Sequence, residues 1–170
     1  SQAWIKDVRG HLYEVMSHIE TNCYLATLPE QFDTYLQELR DLSARPDWQM
    51  LSDEDYNAYN RLVQQILQQG SDLREINVLE QQTKAYLSEQ NYVDAFYTLE
   101  YAIRLTREAN KRVALEMRRD KINPLAQVQQ KREALIKQVT ELVDKEEYKQ
   151  ARCVLEDVKK LDADITELSI

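Results

Sequence analysis

Apolar side chains return every three or four residues along almost the whole chain, the period that places them on one face of an α-helix rather than of a strand. Trp4, Ile5, Val8, Leu12, Val15, Met16 and Ile19 form the first stripe, which ends near Thr21. Phe32, Tyr35, Leu36, Leu39 and Leu42 form the second, with Thr27 placed to cap it and Pro29 near its first turn, where a fixed φ suits a helix start. Pro46 blocks its continuation, and residues 44–50 have no period. Ser52 ahead of Asp53, Glu54 and Asp55 predicts a new start, since the hydroxyl accepts from free amides and the carboxylates face the positive end of the helix dipole. A third helix then uses Tyr56, Tyr59, Leu62, Val63, Ile66 and Leu67, with Gly70 expected to close it. A fourth runs on Leu73, Ile76, Leu79, Thr83, Tyr86 and Leu87 to a break near Gln90 and Asn91.

The fifth stripe is the longest: Tyr92, Ala95, Phe96, Leu99, Ala102, Ile103, Thr106, Ala109, Val113 and Met117 predict one helix over 92–122, ended by Asn123 and Pro124. A sixth follows on Leu125, Val128, Leu135, Val139 and Leu142, and a seventh, beyond the corner at Lys145, Glu146 and Glu147, on Tyr148, Ala151, Leu155, Val158, Ile165 and Leu168. The expected fold is all-α: an antiparallel helical array of about seven helices, with a long central helix and coiled-coil-like C-terminal hairpins. Residues 1–70 read as an acidic N-terminal bundle, and residues 71–170 as hairpins sharing the helix 92–122.

Composition agrees with helices, because two glycines and three prolines in 170 residues are too few for the turns of a β fold. Charge adds a polarity: residues 1–100 hold 7 Lys/Arg against 17 Asp/Glu, and residues 101–170 hold 15 against 13, for a net −8. A net negative chain is repelled by duplex nucleic acid and anionic membranes, so nucleic acid is not an expected partner. No apolar run approaches the roughly 20 residues of a membrane-spanning helix. Cys23 and Cys153, remote from one another and outside any CxxC, are expected to be two buried reduced thiols, which points to a cytoplasmic location. The start at Ser1 without an initiator Met fits a fragment of a longer protein.

One motif occurs twice. Tyr92, Ala95, Leu99 and Ala102 recur 56 residues later as Tyr148, Ala151, Leu155 and Val158, each set following a helix corner. The Tyr wedges beside the corner, and the small Ala lets two helices approach closely. These hairpins, with Ala85, Tyr86 and Leu87 before the first corner, resemble the second half of a tetratricopeptide repeat. Gln90 and Glu146 stand where that family carries its corner glycine, the spacing is 56 rather than 34, and no proline ends the second helix near Arg107 or Asp162. The resemblance implies isolated hairpins, not a solenoid, and a groove on the first helix bearing Asn77, Glu80, Lys84 and Ser88. With Lys84 as its only basic member, this groove does not fit recognition of a terminal carboxylate.

Candidate chemistry is sparse. His11, Glu14 and His18 share a helix face at three- and four-residue steps, a spacing that arises readily on surface helices, and no metal or cofactor is expected from it. No nucleophile–base grouping or phosphate-binding glycine loop occurs, so a non-catalytic role is expected. Arg104, Arg107, Lys111 and Arg118 gather on one side of the long helix, where they would serve an acidic partner, a phosphate-bearing lipid or the acidic front half of a second copy, or else form solvated intrahelical pairs. Tyr97 and Tyr101, beside Arg104, have the composition of interface anchors. The pattern points to a protein-interaction or adaptor module, with self-association through the long helices as a further expectation. A spacer arm of a larger machine and an assembly chaperone are the alternatives.

Overall fold

The computed structural model describes residues 2–170, with side chains described from Lys6 onward. It contains six α-helices and no strand among the described residues: α1 (Gln2–Cys23), α2 (Pro29–Ser43), α3 (Asp53–Ser88), α4 (Tyr92–Leu105), α5 (Ala109–Asp144) and α6 (Tyr148–Leu168), with a 3₁₀ helix at Pro46–Met50. The chain divides into two compact units, Ser1–Asn77 with Leu105–Ala109, and Val78–Arg104 with Asn110–Ile170.

In the first unit, Val8, Leu12, Met16, Ile19 and Cys23 of α1 meet Phe32, Leu36, Leu39 and Leu42 of α2 and Leu62 and Ile66 of α3 in one core. Trp4 and Ile5, the start of the α1 stripe, lie outside the described side chains. The aperiodic segment after Pro46 is built around Trp48, whose ring stands edge-on to Tyr56 at 5.4 Å and Tyr59 at 4.7 Å. Both hydroxyls are used: Tyr56 donates to the Trp48 carbonyl at 2.7 Å and Tyr59 to the Leu39 carbonyl at 3.0 Å. Aromatic rings with a polar tip suit such a corner, where one end is buried and the other must find a partner.

The start of α3 is capped reciprocally, the Ser52 hydroxyl accepting from the Asp55 N–H at 3.2 Å and the Asp55 carboxylate from the Ser52 N–H at 3.4 Å. Asp55 is almost fully buried, and its other oxygen accepts from the Tyr13 hydroxyl at 2.8 Å and the Arg9 guanidinium at 3.1 Å, tying α1 to α3. Burial pushes this carboxyl up, but the combined hydrogen bonds from Tyr13, Ser52 and Arg9 outweigh it and hold the group below the usual carboxylate range.

In the second unit the end of α3 leads into α4, and α5 into α6, through tight corners. Gln90 and Glu146 have φ of 58° and 60°, the left-handed conformation a glycine would adopt without strain. At both corners the same two bonds close the turn: Asn91 N–H to Tyr86 O at 2.8 Å and Gln90 N–H to Leu87 O at 3.1 Å, then Glu147 N–H to Leu142 O and Glu146 N–H to Val143 O, each at 2.9 Å. This is a Schellman closure, made twice without glycine. Ala95, Leu99 and Ala102 are fully buried on α4, while α6 buries only Ala151 and Val158. Val128, Leu135, Val139 and Leu142 on α5 and Val154, Leu161 and Ile165 on α6 are half-buried, and Arg132 of α5 pairs with Asp162 of α6.

Six helices replace the seven expected, for three reasons. Gly70 does not close a helix: it lies inside α3, and a Cβ there would sit 3.3 Å from the Phe32 Cβ, so its role is to let α2 approach. Pro124 does not end a helix either. It sits within α5, exposed, so the Asp120 carbonyl that loses its N–H partner can turn to water. The expected rod 92–122 is instead broken at residues 106–108 into α4 and α5. Tyr97 and Leu115 are five turns apart and would share a face on an unbroken helix, yet Tyr97 is exposed and Leu115 buried. The break resets the phase so that Leu115, Ile122 and Ala126 can be buried on α5. At α2, Thr27 does not cap. The Gln31 side chain does so, accepting from the N–H groups of Thr27 at 2.8 Å and Leu28 at 2.9 Å.

Candidate functional site

The residues singled out in the sequence fall into four groups, on α4, on α5, in the break between them and on α3. Tyr97, Tyr101 and Arg104 lie on α4, at steps of four and three residues, on the side away from Ala95, Leu99 and Ala102. All three are exposed, Tyr97 by 56% and Tyr101 by 48%, with the Tyr97 ring edge-on to Phe96 at 5.4 Å. Burial of one α4 face by small residues leaves these two tyrosines turned outward by the helical period alone.

Lys111 and Arg118 belong to α5, and both reach Glu80 on α3, at 3.0 and 3.7 Å. Arg119 beside them reaches Glu100 of α4 at 2.7 Å, which raises its already high pKa, and Asp120 at 3.1 Å. These cations thus brace α5 against its two neighbours within the second unit. Arg107 sits in the break, not on a helix, and pairs with Asp72 of the first unit at 3.4 Å. The expected basic side of one long helix is therefore distributed over α4, the break and α5, and Arg104 alone of its four members makes no ion pair among the described residues. Asn77, in the first unit, and Lys84, in the second, are exposed on α3.

Val113 and Met117, expected to lie within the long helix's apolar face, are instead exposed on α5 by 53% and 68%. The break that buries Leu115 turns them out, and no local signal in the sequence marks it. Tyr24, Leu25 and Leu28, at the corner between α1 and α2, are a second exposed apolar group, each more than half exposed. They belong to no helical period, which is why the sequence did not single them out.

His11, Glu14 and His18 are exposed on α1, and the described residues hold no group of His, Cys, Asp or Glu arranged for a metal. Cys23 is buried, its thiol pushed up to about 11 by burial and by Glu20, whereas Cys153 is exposed rather than buried as expected. No helix is long and apolar enough to cross a membrane among the described residues. Comparison with known proteins returned no matching family model, no matching curated protein and no matching solved structure.

Proposed function

We propose that this chain is a non-catalytic protein-interaction module that docks a partner on the outer face of α4 through Tyr97, Tyr101 and Arg104. The observation carrying this reading is the exposure of two tyrosine rings, one helical turn apart, on a helix whose fold requires only the opposite face. Tyrosine and arginine supply much contact area and few lost rotamers per hydrogen bond, and they dominate the residues that carry binding energy. Arg104 adds a charge that makes no ion pair among the described residues, which favours a carboxylate-bearing partner.

The two glycine-free corners, alike in backbone geometry and in their Tyr and Ala positions, support reading residues 78–168 as repeat-like hairpins of the tetratricopeptide type. Affinity capture from source-cell extract tests the reading, run with the unaltered chain beside a Tyr97→Ala/Tyr101→Ala variant and quantified by mass spectrometry. A partner retained by the first and lost by the second is the expected result. The same proteins in equal amounts on both would overturn it.

A further inference from the structure

The fold leaves two exposed groups of large side chains on one chain, and they differ in the charge around them. One is the α4 face, where Tyr97 and Tyr101 stand beside Arg104, a cation with no ion pair among the described residues. Glu100, one turn before Arg104 on the same helix, is held by Arg119 at 2.7 Å. The other is the corner between α1 and α2, where Tyr24, Leu25 and Leu28 are 62%, 71% and 58% exposed and take no part in the first-unit core. The backbone of this corner is closed. The Asn22 and Cys23 carbonyls accept from the Leu25 and Ala26 N–H groups at 3.0 and 3.4 Å, and the Gln31 side chain accepts from those of Thr27 and Leu28. Apolar side chains held outward in this way mark a contact surface, and docking on them costs little further ordering.

The surroundings of the corner are acidic. Between Arg9 and Arg40 the chain has no Lys or Arg. Over that stretch Glu14, Glu20, Glu30, Asp33 and Glu38 are all exposed, and only Asp33 meets a cation among the described residues, Arg74 at 3.1 Å. Glu20 lies one helical turn before Tyr24, and Glu30 two residues after Leu28, so the apolar cluster falls between two carboxylates that have no partner cation. Each surface therefore carries what the other lacks: apolar side chains with uncompensated carboxylates on the corner, aromatic rings with an uncompensated guanidinium on α4.

We propose that the partner docked by the α4 face is the α1–α2 corner of a second copy of this chain, an assignment that rests on α4 being the binding surface. Leu25 and Leu28 of one copy seat against the Tyr97 and Tyr101 rings of the other, and Glu20 or Glu30 meets Arg104. The contact is heterologous, because a corner meets a face and not another corner. A pair joined by one such contact keeps one corner and one face open, so further copies add at both ends unless the rotation closes a ring.

Sedimentation velocity of the full chain over roughly 1 µM to 1 mM is the test. It is run at about 0.15 M salt, where the mutual repulsion of two chains of net charge −8 is screened beyond about 8 Å. The mean mass should rise with concentration. Leu25→Ser/Leu28→Ser, Tyr97→Ala/Tyr101→Ala and Arg104→Glu chains with unchanged circular dichroism should each weaken association at least tenfold, and Leu67→Ala should not. An equimolar mixture of the first two variants should form a complex of one copy of each and nothing larger, since the corner kept by one docks on the face kept by the other. A monomer at every concentration would overturn the proposal, as would association that Leu25→Ser/Leu28→Ser leaves unchanged. A mixture that stays monomeric would also overturn it, because each surface would then be meeting its own counterpart. Capture from extract that still depends on Tyr97 and Tyr101, while the chain alone stays monomeric, would remove the second copy and leave the α4 reading standing.

Discussion

The side chain of Gln129, in the middle of α5, caps the start of α4 by accepting the Tyr92 N–H at 2.7 Å across 37 residues of sequence. With its bonds to Val93 and Gln90, this one amide couples the α3–α4 corner to α5. Gln129→Ala strands two backbone donors and a carbonyl in a half-buried corner, at a cost of about 1–2 kcal/mol. Urea denaturation checks this. A midpoint equal to that of the unaltered chain would show that water replaces the amide without loss.

The corner residues themselves are strained. A left-handed φ at Gln90 and Glu146 is free of steric cost only for glycine, so Gln90→Gly and Glu146→Gly should each stabilise the chain by about 0.5–1 kcal/mol after the entropy glycine adds to the unfolded state. Gln90→Val, β-branched in that conformation, should destabilise it. Thermal melts of the three variants give the order, and a reversed order would contradict the strain.

Asp55 predicts an acid dependence. Its folded-state pKa is depressed, so its contribution is complete above the ordinary carboxylate value of about 4 and is lost as pH falls through the lower folded value. Asp55→Asn should therefore cost about 2 kcal/mol at pH 7. The gap in melting temperature between variant and unaltered chain should narrow below about pH 4. A gap independent of pH would mean that shape and not charge holds α1 to α3.

Charge reversal separates the bracing cations from the outward one. Lys111→Glu places a carboxylate against Glu80 and should destabilise by about 1 kcal/mol, the pair being only partly exposed. Arg104→Glu should change stability by no more than about 0.5 kcal/mol. Equal losses in chemical denaturation would mean that Arg104 also holds the fold.

Much of the architecture is legible in the sequence where a signal acts locally. Ser52 and Asp55 mark the start of α3, Pro46 the end of α2, and the Tyr/Ala pattern both corners, including the absence of glycine from them. The failures are tertiary. Gly70 reads as a helix end but serves contact with Phe32, and Pro124 reads as a stop but loses only a solvated hydrogen bond. The break at residues 106–108 contains neither Gly nor Pro. It exists because Leu115 and Tyr97 need opposite environments, a requirement visible only as a phase mismatch between two stripes that each look regular. That mismatch also hid part of the candidate site. It turned Val113 and Met117 outward and split the cations, so that most of the expected basic patch pairs with Glu80 and Asp72 while Tyr97, Tyr101 and Arg104 remain together on α4.

The affinity of the captured partner, measured by isothermal titration calorimetry against the unaltered chain, Tyr97→Ala and Leu67→Ala, tests the central claim most directly. Leu67 is the control, a 46% exposed apolar residue on the first-unit part of α3. Loss of an anchoring tyrosine should raise Kd at least tenfold, about 1.4 kcal/mol, with Leu67→Ala unchanged. Equal Kd for all three chains would place the partner elsewhere and contradict the α4 face as the binding surface.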